Sequence, residues 1–312
     1  MGESVHVPVL VEEILSFLDV RPGGRYLDLT LGGAGHARRI LEREGCVVGI
    51  DRDAEAVSRA SGELAGFGNR FVALHARFDA ADEAVSKAGL PPMRGAFDGV
   101  LLDLGMSSLQ IEEAERGMSF DRDGPLDMRM DRSVGETAAD LVRRLSEQEL
   151  ADLLFRFGDE PRARSIARAI VARRRHAPVR RTGELADLVA FAVGGRRGRR
   201  IHPATRTFQA LRMAVNDELG CLERVLPKTV QWLARDGRLA VISFHSGEDR
   251  LVKRFLREEV ARGTLALLTR KAVEATASEV AANPRSRSAR LRAARRIDET
   301  AANAGDSQSP ER

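Results

Sequence analysis

The spacing of hydrophobic and polar residues follows two different patterns along the chain. Over the first hundred residues, short apolar runs of strand length alternate with segments whose apolar residues recur at helical spacing. Such alternation is typical of a parallel β-sheet covered by helices. In chain order it predicts a strand at 25–29, a helix at 35–44, a strand at 46–50, a helix from Asp53, and strands at 70–74 and 99–104.

After Asp103 the strand-like runs stop and helical spacing takes over. Apolar residues at 150, 153, 154 and 157 follow a capping-box signal at 146–149, which predicts the start of a helix. Helices are predicted near 138–145, 150–157, 161–175 and 182–193. The α/β pattern then returns with a long amphipathic helix at 207–234, a strand at 238–244, a helix from Glu248 and a strand-like run at 265–270.

These two spacing patterns predict one discontinuous α/β domain that carries a helical insertion. The α/β domain would comprise 1–107 and 208–297, and the inserted helical domain 108–207. Residues 298–312 are polar with few apolar side chains, so we expect them to form a disordered tail.

Length and composition exclude several classes of protein. With 312 residues, of which 43% are hydrophobic, the chain can bury a sizeable core. No apolar run approaches the ~18 residues that span a bilayer, and residues 1–20 lack the order of a signal peptide. Cys46 and Cys221 lie far apart and outside any metal-ligand spacing, which favours reduced thiols and no metal site. We therefore expect a cytoplasmic protein.

The start of the chain contains an arrangement suited to a nucleoside. A strand ending in Asp28, a glycine-rich turn at 31–36, a helix and a second strand ending in Asp51 meet at the carboxyl edge of the predicted sheet. Asp51 is placed to accept hydrogen bonds from ribose hydroxyls, and the first N–H groups of the helix near Gly35 suit a ligand carboxylate. A purely structural turn remains an alternative. A dinucleotide is disfavoured because Arg38 stands where the dinucleotide fingerprint needs a third glycine.

Polar or aromatic groups also follow the next two predicted strands. Phe78 and Asp79, after the third strand, would offer adenine an apolar face and a hydrogen-bond acceptor, and Asp103 closes the fourth strand. Packing alone does not explain such groups at four consecutive strand ends. The set favours a bound nucleoside cofactor.

Seven segments resemble one known family, the bacterial 16S rRNA cytosine-N4 methyltransferases of the RsmH type, also called MraW. The resemblance runs from His6 to about Arg292. It rests on GGAGH at 32–36, IDRD at 50–53, LLDLG at 101–105, AERGMSF at 114–120, GPLDMRM at 124–130, HPATRTFQA at 202–210 and ISFHS at 242–246. Departures at Met106, Leu109 and Gly247, where the family more often has Val, Pro and Leu, remove no polar contact.

The resemblance implies a Rossmann-like class I methyltransferase fold and S-adenosylmethionine as cofactor. It implies methylation of the exocyclic N4 amine of one cytidine in the decoding centre of 16S rRNA, within the small ribosomal subunit. It leaves the oligomeric state open, a homodimer being one alternative. Carried over by position, the cofactor contacts are Ala34, Gly35, His36, Asp51, Phe78, Asp103 and Gln110.

Asp103 and His245 are the candidate catalytic residues. The cytosine amine is a weak nucleophile whose lone pair is delocalised into the ring, so the enzyme has to orient it and accept its hydrogens. Asp103 either accepts from the amine or holds the cofactor. His245 follows the last predicted strand of the crevice and either contacts the substrate or is a structural histidine. Ser246 lacks the G-x-S-x-G surroundings of a hydrolase nucleophile.

Positive charge is concentrated in the predicted insertion. Fourteen arginines lie between 162 and 212 against only two acidic residues, although the net charge of the whole chain is only +4. This clustering predicts contacts with an RNA backbone, the alternative being a solvated arginine-rich helix face. The candidate RNA contacts are Arg173, Arg174, Arg180, Arg181, Arg196, Arg197, Arg199 and Arg200.

Three rival functions share parts of this pattern. An NAD-dependent oxidoreductase would use the same sheet, but Arg38 argues against it. A methyltransferase of DNA, protein or a small molecule would have the same cofactor site. A non-catalytic RNA-binding assembly factor would keep the fold without needing so complete a cofactor crevice.

Overall fold

The computed structural model describes residues 8–195 and 202–297. These residues form two compact units. Of the described residues, the first comprises 8–51, 55–105 and 222–297, and the second comprises 52–54, 106–195 and 202–221. The predicted tail at 298–312 and the arginines at 196–200 lie outside the described residues.

The first unit is built on a seven-stranded sheet in the order β3-β2-β1-β4-β5-β7-β6. Strands β1 to β5 run parallel, and β7 is antiparallel to both β5 and β6. The predicted fold class, a mainly parallel Rossmann-like sheet, is confirmed. The strands are β1 Arg25–Asp28, β2 Cys46–Asp51, β3 Phe71–His75, β4 Phe97–Asp103, β5 Leu233–Ser243, β6 Leu265–Leu267 and β7 Arg290–Arg296.

Central strands of this sheet are buried along most of their length, which explains their continuous apolar runs. Leu27, Ile50 and Leu101 are fully buried side chains of β1, β2 and β4. The predicted strands agree with the observed ones to within five residues at their ends, the largest difference being at the start of β5, and β7 was not predicted. Four of its seven residues are arginines and the others are Leu291 and two adjacent alanines, so the sequence carries almost no strand signal there.

Thirteen α-helices lie within the described residues. They are α1 Val11–Leu18, α2 Gly35–Glu42, α3 Ala54–Glu63, α4 Ala81–Lys87, α5 Ser108–Glu112, α6 Ala138–Arg144, α7 Glu147–Gly158, α8 Ala163–Arg174, α9 Thr182–Ala192, α10 Thr205–Asn216, α11 Glu218–Trp232, α12 Ser246–Ala261 and α13 Ala277–Ala282. In this described part of the chain, no helix combines the length and the apolar character needed to cross a bilayer.

The prediction of one long helix at 207–234 is wrong, because two helices, α10 and α11, occupy this segment. Asp217, between α10 and α11, adopts a left-handed conformation with φ of 48° and ends the first helix. The second unit runs to Cys221, beyond the boundary at 207 that we expected for the insertion.

The second unit has its own apolar core. Leu150 and Leu154 of α7, Ile166 and Ile170 of α8 and Leu185 of α9 are fully buried in it. The capping box predicted at the start of α7 is present, since the Ser146 hydroxyl accepts from the backbone N–H of Glu149. Helical spacing in the sequence therefore located these helices correctly.

Candidate functional site

The glycine-rich turn after β1 is held by the acid at the end of β2. The Asp51 carboxylate accepts a hydrogen bond of 2.7 Å from the backbone N–H of Gly32. Gly32 and Ala34 both adopt positive φ, 48° and 56°, and Ala34 leads directly into α2. Within the described residues, the N-cap residue Ala34 makes no side-chain capping hydrogen bond, so the first N–H groups of α2 are available to another acceptor.

Packing against a neighbouring segment, and not only a bound ligand, requires glycine at position 35. A Cβ atom at this position would lie 2.9 Å from Cγ of Pro8, closer than real Cβ contacts. The segment containing Pro8 therefore presses directly on the turn. Sequence reasoning assigned the glycine to close approach of a cofactor and missed this contact.

His36 and Asp103 meet at the same edge of the sheet. Nε2 of His36 lies 3.5 Å from Oδ2 of Asp103, and the imidazole is only 6% exposed. Within the described part of the chain, both ring nitrogens of His36 and Oδ1 of Asp103 are buried without a hydrogen-bond partner. Buried polar atoms without a partner usually bind water or a ligand.

Asp28, at the end of β1, completes this acidic edge. Burial raises the pKa of its carboxyl group to about 6, the nearby charges of Asp103 and Asp51 add to the rise, and His36 opposes it. The Thr30 residue connects two of the strand ends, because its N–H donates to Asp28 and its hydroxyl accepts from the N–H of Asp103. The sequence located Asp28 but gave no sign of its altered titration.

Replacing Asp28 by asparagine is expected to stabilise the protein near neutral pH. The raised pKa means that the folded state binds the proton more tightly than the unfolded chain, whose value is 3.8. Stability of the native protein therefore falls as the pH rises from about 4 to about 6 and stays reduced above that range. The variant should gain about 3 kcal/mol at pH 7.5, and this gain should vanish towards pH 4. Urea unfolding across this pH range measures it, and an equal stability of the two proteins at pH 7.5 would contradict the assignment.

The residues after β3 differ from the sequence prediction in one respect. Phe78 is half-buried in a short 3-10 turn and keeps an apolar face. Asp79 is already engaged, because its carboxylate accepts from Arg77 at 2.7 Å and from Arg224 at 2.8 Å. Burial raises the pKa of Asp79, but these two guanidinium groups outweigh burial and hold it below its ordinary value. Asp79 therefore already accepts from two guanidinium groups, and its expected acceptor role towards adenine stays a prediction.

His245 forms the N-terminal cap of α12. Its Nδ1 accepts from the backbone N–H of Glu248 at 3.3 Å, and its Nε2 lies 3.1 Å from the Glu248 carboxylate. Glu248 in turn accepts from the N–H groups of Phe244 and His245. Of the two roles left open by the sequence, this geometry supports the structural one.

Gln110 belongs to the second unit and makes two hydrogen bonds there. Its amide nitrogen donates to Asp53 at 2.9 Å, and its amide oxygen accepts from the N–H of Ser107 at 3.2 Å. Asp53 also receives a hydrogen bond from Arg116, and both members of that ion pair are about 95% or more buried. The motifs at 50–53 and 114–120 are thus joined by a buried ion pair that sequence reasoning missed.

The predicted RNA-contacting arginines fall into three groups. Arg173 and Arg174 use their guanidinium groups on backbone carbonyls, Ala177 for the first and Val142 and Leu145 for the second. Arg180 and Arg181 are exposed, and Arg181 pairs with Asp123. The remaining four, Arg196, Arg197, Arg199 and Arg200, lie outside the described residues.

Comparison with known proteins gives one family and many relatives. The model of the MraW methylase family matches residues 3–297. The ribosomal RNA small subunit methyltransferase H of Syntrophobacter fumaroxidans is 50% identical over 92% of this chain and 95% of its own length. The protein of the same name from Syntrophotalea carbinolica is 48% identical over 94% of this chain and 98% of its own length.

Proposed function

Since this chain belongs to the MraW methylase family, we propose that it is an S-adenosylmethionine-dependent methyltransferase of small-subunit ribosomal RNA. The observation that carries the proposal is the identity of about half of all residues with proteins named for that activity, along nearly the whole chain. Ribosomal subunits are cytoplasmic in bacteria, so we place its action there.

The carboxyl edge of the sheet fits the chemistry of this cofactor. Asp51 would accept from the ribose hydroxyls, and the open N–H groups at the start of α2 would bind the carboxylate of the methionine part. Phe78 would lie against adenine. The buried nitrogens of His36 and Oδ1 of Asp103 have polar capacity left for a ligand. When bound, the sulfonium of S-adenosylmethionine supplies an electrophilic methyl group.

Ala34, Gly35 and Gln110 complete the proposed cofactor set in different ways. Ala34 and Gly35 contribute the left-handed turn and the open backbone that leads into α2. Gln110 contributes through Asp53, two residues after Asp51, because its amide is hydrogen-bonded to that carboxylate. This hydrogen bond holds in place the segment that follows Asp51, the proposed ribose-binding residue.

We propose the exocyclic N4 amine of a cytidine in the decoding centre as the methyl acceptor. The seven matching segments support this finer assignment. Asp103 is the proposed hydrogen-bond acceptor for the amine, because its Oδ1 has no partner among the described residues and lies at a strand end of the cofactor edge. A carboxylate here orients the amine and takes up its proton after transfer. His245 acts as a positioning residue at the start of α12.

Recognition of the RNA backbone is assigned to the arginines of the second unit. Arg180 and Arg181 are exposed in the described structure, and the run at 196–200 adds four more guanidinium groups in the sequence. The chain has one Trp and one Tyr, which favours recognition through phosphate and shape over base stacking.

A methyl-transfer assay tests the proposed function directly. Small ribosomal subunits from cells lacking this gene are incubated with the protein and labelled S-adenosylmethionine, and the RNA is digested to nucleosides. We expect label in N4-methylcytidine, and none when the subunits come from wild-type cells that are already modified. Label in another nucleoside would replace the assigned acceptor, and the absence of label from the RNA would refute the proposed function.

A further inference from the structure

Charge is segregated across α12 in an unusual way. Three of its four acidic residues, Glu248, Asp249 and Glu259, are buried, each less than 10% exposed, and only Glu258 is exposed. Its exposed side is basic, with Arg250, Lys253, Arg254 and Arg257 at positions i, i+3, i+4 and i+7 of one helix face. We call these four residues the cationic stripe. Acidic side chains are rarely buried, so this inversion requires an explanation.

Each buried acid of α12 has partners inside the protein. Asp249 accepts from Arg292 of β7 at 2.7 Å, and Glu248 accepts from the N–H of Phe244 at 2.9 Å. Glu259 accepts from Thr264 at 2.6 Å and pairs with Arg262. These three acids are engaged in internal contacts, so the exposed side of the helix carries four cations against the single carboxylate of Glu258.

The cationic stripe is only partly neutralised by its surroundings. Arg254 lies 3.3 Å from Glu223 and 4.0 Å from Glu258. Arg250, Lys253 and Arg257 have no carboxylate within 4 Å anywhere in 8–195 or 202–297. Like charges spaced three and four residues apart destabilise a helix, and the two carboxylates beside Arg254 offset this repulsion only in part.

The position of the stripe relates it to the proposed chemistry. Helix α12 begins at Ser246, directly after β5, and the end of β5 pairs with the end of β4, where Asp103 is aligned with Ile242. Arg250 lies about one helical turn into α12, and the stripe extends for about 10 Å from there. A row of cations therefore begins near the edge that carries Asp103.

We propose that the cationic stripe binds the phosphate backbone of the RNA substrate beside the nucleotide that is methylated. The inference rests on the proposed function and adds a contact surface that belongs to the first unit. It is separate from the arginines predicted between 162 and 212, and those of them within the described residues lie in the second unit. Unneutralised Arg and Lys side chains in a row are the chemistry that displaces counterions from a polyanion.

A triple variant tests the stripe. Arg250→Gln, Lys253→Gln and Arg257→Gln are combined and compared with a charge-matched control that combines Lys87→Gln, Arg94→Gln and Arg235→Gln. The control residues lie in segments at the opposite, amino-terminal edge of the sheet. Affinity for undermethylated small subunits is measured between about 50 and 200 mM salt. We expect the stripe variant to bind about tenfold or more weakly near 100 mM salt, with a salt slope smaller by about 2.

Further readouts separate the possible outcomes. Affinity for S-adenosylmethionine and thermal unfolding of the stripe variant should match wild type, since its changes are on the surface. If the triple variant does not fold, the single variants Lys253→Gln and Arg257→Gln should each lower the slope by about 0.7. Wild-type affinity and slope in the stripe variant, or an equal loss in the control, would overturn the inference. A wild-type protein that binds subunits through the stripe but methylates none would instead refute the proposed function.

Discussion

The Arg116→Ala variant will lose about 3–5 kcal/mol of unfolding free energy, because it leaves a buried carboxylate without its counter-charge. The side chains of Arg116 and Asp53 are 3% and 5% exposed and lie 2.9 Å apart. Arg116 also donates to the backbone carbonyl of Met130 and to Glu113, so the change removes several hydrogen bonds at once. Urea denaturation followed by circular dichroism measures the loss.

Two controls show whether burial of the pair is the cause. The Arg144→Ala variant breaks an ion pair with Glu136 that is exposed on both sides, so its unfolding midpoint should barely move. Combining Arg116→Met with Asp53→Leu removes both charges and should recover part of the stability. If Arg116→Ala unfolds at the same urea concentration as Arg144→Ala, the buried pair does not have the proposed role.

The second large effect concerns the methyl-transfer step itself. We expect the Asp103→Asn variant to lower the single-turnover rate by about 10²–10³-fold, because a neutral amide cannot take up the proton of the amine. Affinity for S-adenosylmethionine should fall much less, by about tenfold at most. Rates with saturating cofactor and calorimetric cofactor binding separate the two quantities.

His245→Asn is the matched comparison for Asp103→Asn. Asparagine is among the best N-capping residues, so it preserves the cap of α12 while it removes the imidazole. If His245 acts by positioning α12, this variant should keep most of the methyl-transfer rate. A loss as large as that of Asp103→Asn would assign the imidazole a direct role, and an equal loss of cofactor affinity in Asp103→Asn would assign Asp103 to the cofactor.

The convergence of acids at the carboxyl edge of the sheet could be predicted from the sequence because it depends only on where each strand ends. In a parallel sheet the carboxyl ends of the strands share one edge, so Asp28, Asp51 and Asp103 had to converge once the strands were located. The same holds for the helices of the second unit, whose cores follow from apolar spacing alone. These predictions needed only the period of the pattern and the direction of the chain.

Contacts between segments that lie far apart in the chain could not be predicted from the sequence. Asp53 and Arg116 are 63 positions apart, and no local pattern marks either as one half of a buried pair. The contact of Asp79 with Arg224 was missed because Arg224 comes from a helix 145 positions away. The break between α10 and α11 at Asp217 was missed because apolar spacing continues on both sides of it. The left-handed conformation of a single residue does not change that spacing.

The late position of β7 in the chain has a consequence for biosynthesis. This strand is the last of the described strands to be translated, yet it lies inside the sheet, between β5 and β6. Until residues 290–296 are available, β5 presents an unpaired edge, and β6 lacks the neighbour to which it is hydrogen-bonded. The sheet is therefore complete only once residues 290–296 have been translated, and nascent chains released before that point would expose a strand edge able to pair with other chains.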